Sequence, residues 1–217
     1  MSSYEEAFEH LYTKHFDLII VMVGVDRKVP MEISRKIRHE FNYLPIFLLL
    51  NNNTDVAYFE TQKQITGLFD NIFVWNGDSK IFFTMVKLLE DYVNVDNDTK
   101  VGYSRIILLV EDSAKYYSRY LPFLFRSVME QTRRIIDDVS TMDELYKILR
   151  LRVRPKVLLA TTYEEAIDIF DKFKDYILCL ISDVKFQKNS QIDENAGFDC
   201  NRPAIHILQY RLRSPMF

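Results

Sequence analysis

The sequence is poor in glycine and cysteine and contains no apolar run long enough to cross a bilayer. Five glycines in 217 residues, with 48% hydrophobic side chains, are typical of a globular chain rather than a disordered one. Its two cysteines, Cys179 and Cys200, are too few for a disulfide framework and fit a reducing compartment. Every apolar run is shorter than the roughly 20 residues of a membrane span, and the first residues lack the order of a signal peptide.

Charge and histidine content also exclude several classes of function. A net charge of −3 does not indicate a nucleic-acid or membrane partner. The histidines do not have the spacing of metal ligands, and we interpret them as surface or boundary residues. They are His10, His15, His39 and His206. We therefore expect a soluble, cytoplasmic protein.

Two apolar runs of strand length end abruptly in acidic residues. The run at 105–110 is followed by Glu111 and Asp112, and the run at 176–182 is followed by Asp183. Unbroken Ile, Leu and Val of this length indicate strands buried on both faces of a parallel sheet. Functional sites in such sheets lie beyond the carboxyl ends of the strands, so we expect the three acids to lie close together there. Mg²⁺ is the hard cation that best suits such oxygen ligands, and beside it Asp183 is a candidate phosphoryl acceptor.

The rest of the chain alternates strands with helices, which predicts an α/β fold. Strands are predicted at residues 18–23, 44–50, 72–75, 105–110, 156–161 and 177–182, with 204–209 as a further candidate. Helices are predicted at 3–15, 31–41, 55–69 and 79–93, and from residues 113, 141 and 162 onward. Thr162 and Glu165 form a capping pair, whereas Pro122 predicts a kink or a helix start at Leu121.

Residues 94–103 are polar and unpatterned, which is typical of a linker. We place the linker proper at 98–103, between a first domain at 1–97 and a second at 104–217. An internal repeat supports two domains, because Tyr4-Glu-Glu-Ala before strand 18–23 is echoed by Tyr163-Glu-Glu-Ala before strand 177–182. Two strands and two helices precede the second copy of this unit and nothing precedes the first, so we expect the back half of one unit followed by the front half of another.

The partner of strand 105–110 stays open at this point. Either strand 18–23 joins it in one permuted sheet, or its own strand 177–182 does so in a separate lobe. We expect two lobes, because the second pairing keeps Asp183 beside Asp112. Each lobe would then present a bare strand edge, which predicts dimerisation.

Several strings in the chain resemble response-regulator receiver domains. They are Phe-Val-Trp-Asn-Gly-Asp at 73–78, Leu-Leu-Val-Glu-Asp-Ser at 108–113, Arg-Pro-Lys-Val-Leu-Leu-Ala-Thr-Thr-Tyr-Glu-Glu-Ala at 154–166 and Ile-Ser-Asp-Val-Lys at 181–185. Between residues 4 and 197 they are similar to the N-terminal tandem receiver-like region of bacterial phosphoenolpyruvate synthase/pyruvate phosphate dikinase-like proteins. The resemblance implies flavodoxin-like sheets of five parallel strands and a regulatory role. It also implies Mg²⁺-dependent phosphorylation of Asp183, with Glu111 and Asp112 as the metal-binding pair, and a kinase or an enzyme domain as partner.

The first copy departs from the receiver pattern. It has Met22, or Gly24, in place of the phosphoacceptor, so we interpret it as a pseudo-receiver. It also has Leu50, and Trp75 or Asn76, where a receiver keeps Ser or Thr and then Lys. The second copy is interrupted after Gly197 and shows no clear counterpart of those two residues. None of the phosphotransferase or nucleotide-grasp machinery of the parent enzymes is present, so we expect no enzyme activity from this chain by itself.

Simpler interpretations exist for the same residues. Glu111 and Asp112 could cap the helix that follows them. The basic stretch at 150–156 is better explained as cations at a helix end than as an anion site. A scaffolding fragment built from degenerate receivers is the alternative function. A small Mg²⁺ phosphatase ranks third, because Lys185 stands where its second nucleophile-strand acid would be.

Overall fold

The computed structural model describes residues 4–137, 154–182, 186–188 and 191–193. The fold is α/β, with two small parallel sheets of three strands each and flanking helices. The chain divides into two compact units, and the division falls between Asp78 and Ser79. None of the described helices combines the length and the apolar character needed to cross a membrane.

The first unit alternates helices and strands. Its helices are α1 (Tyr4–Thr13), α2 (Lys28–Glu40) and α3 (Val56–Thr66), and a short 3-10 helix at Asn53–Asp55 precedes α3. Its strands are β1 (Ile19–Met22), β2 (Ile46–Leu50) and β3 (Asn71–Val74), in the order β1-β2-β3. All five residues of β2 are buried, as its unbroken apolar run predicts. Aromatic rings fill the core, with the centroids of Phe47 and Phe73 5.5 Å apart.

The second unit begins with a long helix and is built around one central strand. Its helices are α4 (Lys80–Lys100), α5 (Ala114–Asp137) and α6 (Tyr163–Phe173). Its main strands are β4 (Ile106–Val110), β5 (Lys156–Ala160) and β6 (Ile177–Ser182), in the order β5-β4-β6. A small antiparallel hairpin of β7 (Phe186–Lys188) and β8 (Gln191–Asp193) follows, which the sequence pattern did not predict.

The pairing of β4 with β6 confirms that the strand predicted at 105–110 takes its neighbour from its own lobe. Within the described residues, β1 and β6 each form one edge of their sheet. Both edges expose a large apolar side chain, since Met22 is 52% and Leu178 is 49% exposed. The dimerisation expected from such edges stays a prediction, and the strand predicted at 204–209 lies outside the described residues.

The stretch predicted as a linker is largely helical. Helix α4 extends to Lys100, so residues 94–100 belong to it and the compact second unit begins well before the predicted boundary at 98–103. Leu88, Asp91, Val95 and Thr99 are buried at helical spacing. Burial of this face stabilises a helix whose Asp and Asn residues have low helix propensity.

Helix α5 is unbroken from Ala114 through Pro122, so it does not start at Leu121. Proline in a helix interior costs about 3 kcal/mol. The buried side chains of Tyr117, Leu121 and Phe125 offset that cost, at roughly 1.5–3 kcal/mol for each fully buried large side chain.

Candidate functional site

The carboxyl end of the second sheet is where the predicted acids belong. Strand β4 is central, and its last residue, Val110, is in register with Ala160 at the end of β5 and with Ser182 at the end of β6. The three strands therefore stop at the same level. The chain next continues into Glu111, Thr161 and, after Ser182, the predicted phosphoacceptor.

Glu111 is held firmly at this edge. It is 4% exposed, and its N–H donates to the Ala160 carbonyl at 3.0 Å. Its carboxylate Oε1 accepts a hydrogen bond from the Ser113 N–H at 3.1 Å. The Ser113 carbonyl in turn accepts from the N–H groups of Tyr116 and Tyr117 at 3.0 Å, which starts α5. The Glu111 carboxylate therefore holds the turn that leads into α5, in line with the simpler structural role considered for it.

Asp112 follows Glu111 and is partly exposed, so the acidic pair reaches from the buried sheet edge toward solvent. Asp183 lies outside the described residues, as does Lys185. Convergence of the predicted metal trio, Glu111, Asp112 and Asp183, therefore stays a prediction. Over the described ranges, no group of three or more His, Cys, Asp or Glu side chains is placed to hold a metal ion.

The turn after β5 completes the described part of this edge. Thr162 is the N-cap of α6, and its Oγ1 accepts a hydrogen bond from the Glu165 N–H at 3.2 Å, which confirms the predicted cap. The Glu165 carboxylate Oε2 accepts from the Thr161 N–H at 2.8 Å and from the Thr161 hydroxyl at 3.3 Å. This carboxylate thus stabilises the turn, one residue earlier than in a standard capping box.

The corresponding end of the first sheet has a different chemistry. Met22 is exposed and Leu50 is fully buried, so the positions aligned with a phosphoacceptor and a switch residue carry apolar side chains. The Asn51 amide donates to the Val23 carbonyl at 2.6 Å, and the Trp75 N–H donates to the Leu50 carbonyl at 2.7 Å. The strand ends of this sheet are held by amide and backbone hydrogen bonds.

The buried charges of the second unit lie elsewhere, at the start of β5. Arg154 is 4% exposed and donates from Nη1 and Nη2 to the two carboxylate oxygens of Asp91, at 2.9 and 2.6 Å. The same carboxylate accepts the Val157 N–H at 2.9 Å. Lys156 Nζ lies 2.5 Å from Asp98 Oδ2 and 3.9 Å from Asp91 Oδ1. We call Asp91, Asp98, Arg154 and Lys156 the α4–β5 charge cluster.

Sequence reasoning missed this cluster. Arg154 and Lys156 had been interpreted as cations at a helix end, whereas the structure buries both in ion pairs. The available signal was Asp91, an acidic residue at helical spacing from the apolar Leu88 and Val95. Lys156 opens β5 and Glu111 follows β4, so the cluster lies at the opposite end of the parallel sheet from the acidic pair. Its role is to attach α4 to the sheet.

Comparisons with known proteins identify no relative: no protein-family model, curated protein or solved structure matches the chain. The resemblance to receiver domains rests on the residue strings alone.

Proposed function

We propose that the chain is a regulatory signal-transduction module of receiver type, and that its second unit accepts a phosphoryl group on Asp183. The observation that carries the proposal is the order β5-β4-β6 with aligned strand ends. Strand β4, which leads into Glu111 and Asp112, is the direct neighbour of β6, which leads into Asp183. The wider expectation is that this module is the N-terminal regulatory part of a phosphoenolpyruvate synthase-like protein.

The strand orders support two incomplete flavodoxin-like units. A receiver sheet has the order 2-1-3-4-5. The order β5-β4-β6 agrees with its first three strands, because the earliest strand of this lobe lies between the next two. The order β1-β2-β3 agrees with its last three, in which successive strands are neighbours.

The acidic pair has the chemistry that a divalent cation requires. Carboxylate oxygens are the preferred ligands of Mg²⁺. Asp112 is partly exposed, and Glu111 follows the same strand end; two adjacent carboxylates at this edge fit a ligand set that Asp183 would complete. The bound cation would offset charge on the carboxylates and on the phosphoryl group.

The phosphoryl donor in this reaction would be a small acyl phosphate such as acetyl phosphate. A carboxylate oxygen of Asp183 forms the new P–O bond while the bond from phosphorus to the acetate oxygen breaks. Acetate leaves with that electron pair, and the phosphoryl group becomes an aspartyl phosphate. Glu111 and Asp112 would hold the cation and would take no proton in this step.

The test is acetyl phosphate with Mg²⁺, followed by borohydride trapping and mass spectrometry. We expect a weak label on Asp183 and none in residues 1–97. Asp183→Asn should abolish the label. Asp112→Ala should weaken the label, and it should also weaken Mg²⁺ binding, measured by calorimetry at millimolar Mg²⁺. Asp175→Asn, which changes an exposed acid in the turn before β6, should leave both unchanged. A label at another residue, or absence of Mg²⁺ binding, would contradict the proposal, whereas a complete and stable label on Asp183 would contradict only the expected weakness of the label.

The alternative is a scaffolding fragment that is never phosphorylated. One observation favours it: the Glu111 carboxylate already stabilises the turn before α5 by accepting the Ser113 N–H. If the chain is such a fragment, the acidic pair only stabilises the fold, and we expect neither Mg²⁺ binding nor aspartyl labelling in the unaltered chain. The labelling experiment therefore distinguishes the two functions directly.

A further inference from the structure

Helix α5 carries a basic stripe along one face. Lys115, Arg119, Arg126 and Arg133 follow one another at intervals of four and seven residues, which places them on the same side of a helix. The three arginines are exposed. Arg126 donates to Glu130 at 2.6 Å, whereas Arg119 and Arg133 have no ion-pair partner among the residues that the structure describes. The opposite face of α5 is buried in the second unit.

An exposed aromatic ring interrupts the basic stripe. Phe123 lies between Arg119 and Arg126 along the helix and is 70% exposed. Large apolar side chains at the centre of a charged surface are typical anchors of protein interfaces, because they supply the apolar burial that charge pairs do not. The α5 face therefore has both parts of a docking surface.

Helix α6 of the same unit carries an acidic stripe. Glu164, Asp168 and Asp171 lie four and three residues apart on one face, and all three are exposed. Within the described part of the chain, Asp168 and Asp171 have no cationic partner. The neighbouring Lys172 is already engaged, since its Nζ lies 2.5 Å from Asp96 Oδ2.

The two stripes match in spacing and are opposite in sign. Arg119 and Arg126 are seven residues apart, as are Glu164 and Asp171, and seven residues span about 10.5 Å of helix. We propose that the α5 stripe of one copy of this chain docks against the α6 stripe of a second copy. Both stripes belong to the same unit, so a two-fold arrangement would form the contact twice.

A second copy explains more than another anionic partner would. A nucleic acid or an acidic peptide would pair with the α5 stripe and would offer no positive charge to Asp168 and Asp171 of the α6 stripe. The chain as a whole is also acidic, with a net charge of −3, which disfavours a polyanion as the partner. Self-association uses both stripes.

Sedimentation velocity of the full chain, with charge reversal, tests the proposal. We expect a dimer that dissociates when NaCl rises from about 0.1 M to about 1 M, because the Debye length falls from about 10 Å to about 3 Å. Reversing the α5 stripe at the two matched positions (Arg119→Glu with Arg126→Glu) should raise the dimer Kd about tenfold or more, as should reversing the matched positions of the α6 stripe (Glu164→Lys with Asp171→Lys). The chain that carries all four changes should regain association.

A matched control carries the same change in net charge as the α5 reversal. Lys14→Glu with Arg35→Glu alters two exposed cations of the first unit and should leave the dimer intact. Circular dichroism verifies that each variant is folded. A wild-type chain that is monomeric in about 0.1 M NaCl, or a dimer that both reversals leave unchanged, would overturn the proposal. Loss of association in the control would also overturn it, because the effect would then follow net charge.

Discussion

Replacement of Asp91 by alanine should destabilise the second unit more than any surface change. Asp91 is fully buried, and its carboxylate accepts three hydrogen bonds, two from Arg154 and one from the Val157 N–H. Without it, Lys156 keeps its pair with Asp98, whereas the buried Arg154 keeps the Pro155 carbonyl at 3.1 Å and the Glu90 carboxylate only at 4.0 Å. Removing one partner of a buried ion pair costs about 3–5 kcal/mol, a large part of the roughly 5–15 kcal/mol that holds a typical domain together.

A double-mutant cycle of Asp91 and Arg154 tests whether the stability is lost because the Arg154 guanidinium is left unpaired. Arg154→Met removes the guanidinium and fills its space with an apolar chain. In Asp91→Ala with Arg154→Met no uncompensated buried arginine is left, so we expect part of the stability to return. The coupling free energy should be about 2 kcal/mol or more, as for residues in one buried network. Lys172→Ala is the surface control, since Lys172 and Asp96 are 56% and 44% exposed; it should cost less than about 1 kcal/mol.

Urea unfolding followed by far-UV circular dichroism measures these differences. The only tryptophan, Trp75, lies in the first unit, so its fluorescence does not report on the cluster directly. Amide hydrogen exchange in β4 and β5 should show the loss locally. A loss of stability in Asp91→Ala no larger than in Lys172→Ala, or simple additivity of Asp91→Ala and Arg154→Met, would show that the buried ion pair does not stabilise the unit.

Three further outcomes follow from individual positions. Ser34→Ala should raise the free energy of unfolding by about 1 kcal/mol in urea melts, because the buried Ser34 hydroxyl has no hydrogen-bond partner among the described residues. Its control is Thr99→Val, which should lower the free energy of unfolding, because the buried Thr99 hydroxyl is bonded to the Val95 carbonyl. Gly102→Ala should lower the free energy of unfolding by about 1–3 kcal/mol, since the added Cβ would lie 2.8 Å from the Asp98 carbonyl oxygen. Gly24→Ala is the control and should leave it unchanged, because there is open space around Gly24. Burial raises the pKa of the Cys179 thiol, so native Cys179 should react with iodoacetamide at pH 8 more slowly than in urea, and equal rates would contradict its burial.

Local patterns in the sequence were enough for the strands and for one cap. Six short apolar runs were predicted as strands, and each overlaps an observed strand, because an unbroken run of Ile, Leu and Val favours a strand in the interior of a parallel sheet. Thr162 was identified as an N-cap because the hydrogen bond that defines a cap joins residues only three apart. The α/β class followed from the alternation of such elements. The hairpin of β7 and β8 consists of strands of three residues, too short to leave a pattern.

Long-range contacts decided what the local patterns left open. The sequence allowed strand 105–110 to pair with 18–23 or with 177–182, and only the folded sheet selects β6. Residues 94–100 read as linker because Asp and Asn favour turns, yet they are helical because Val95 and Thr99 are buried. Asp91 finds its partner, Arg154, 63 residues further along the chain. Propensity and periodicity are properties of a few neighbouring residues, whereas strand pairing and charge burial depend on which distant segments the fold brings together.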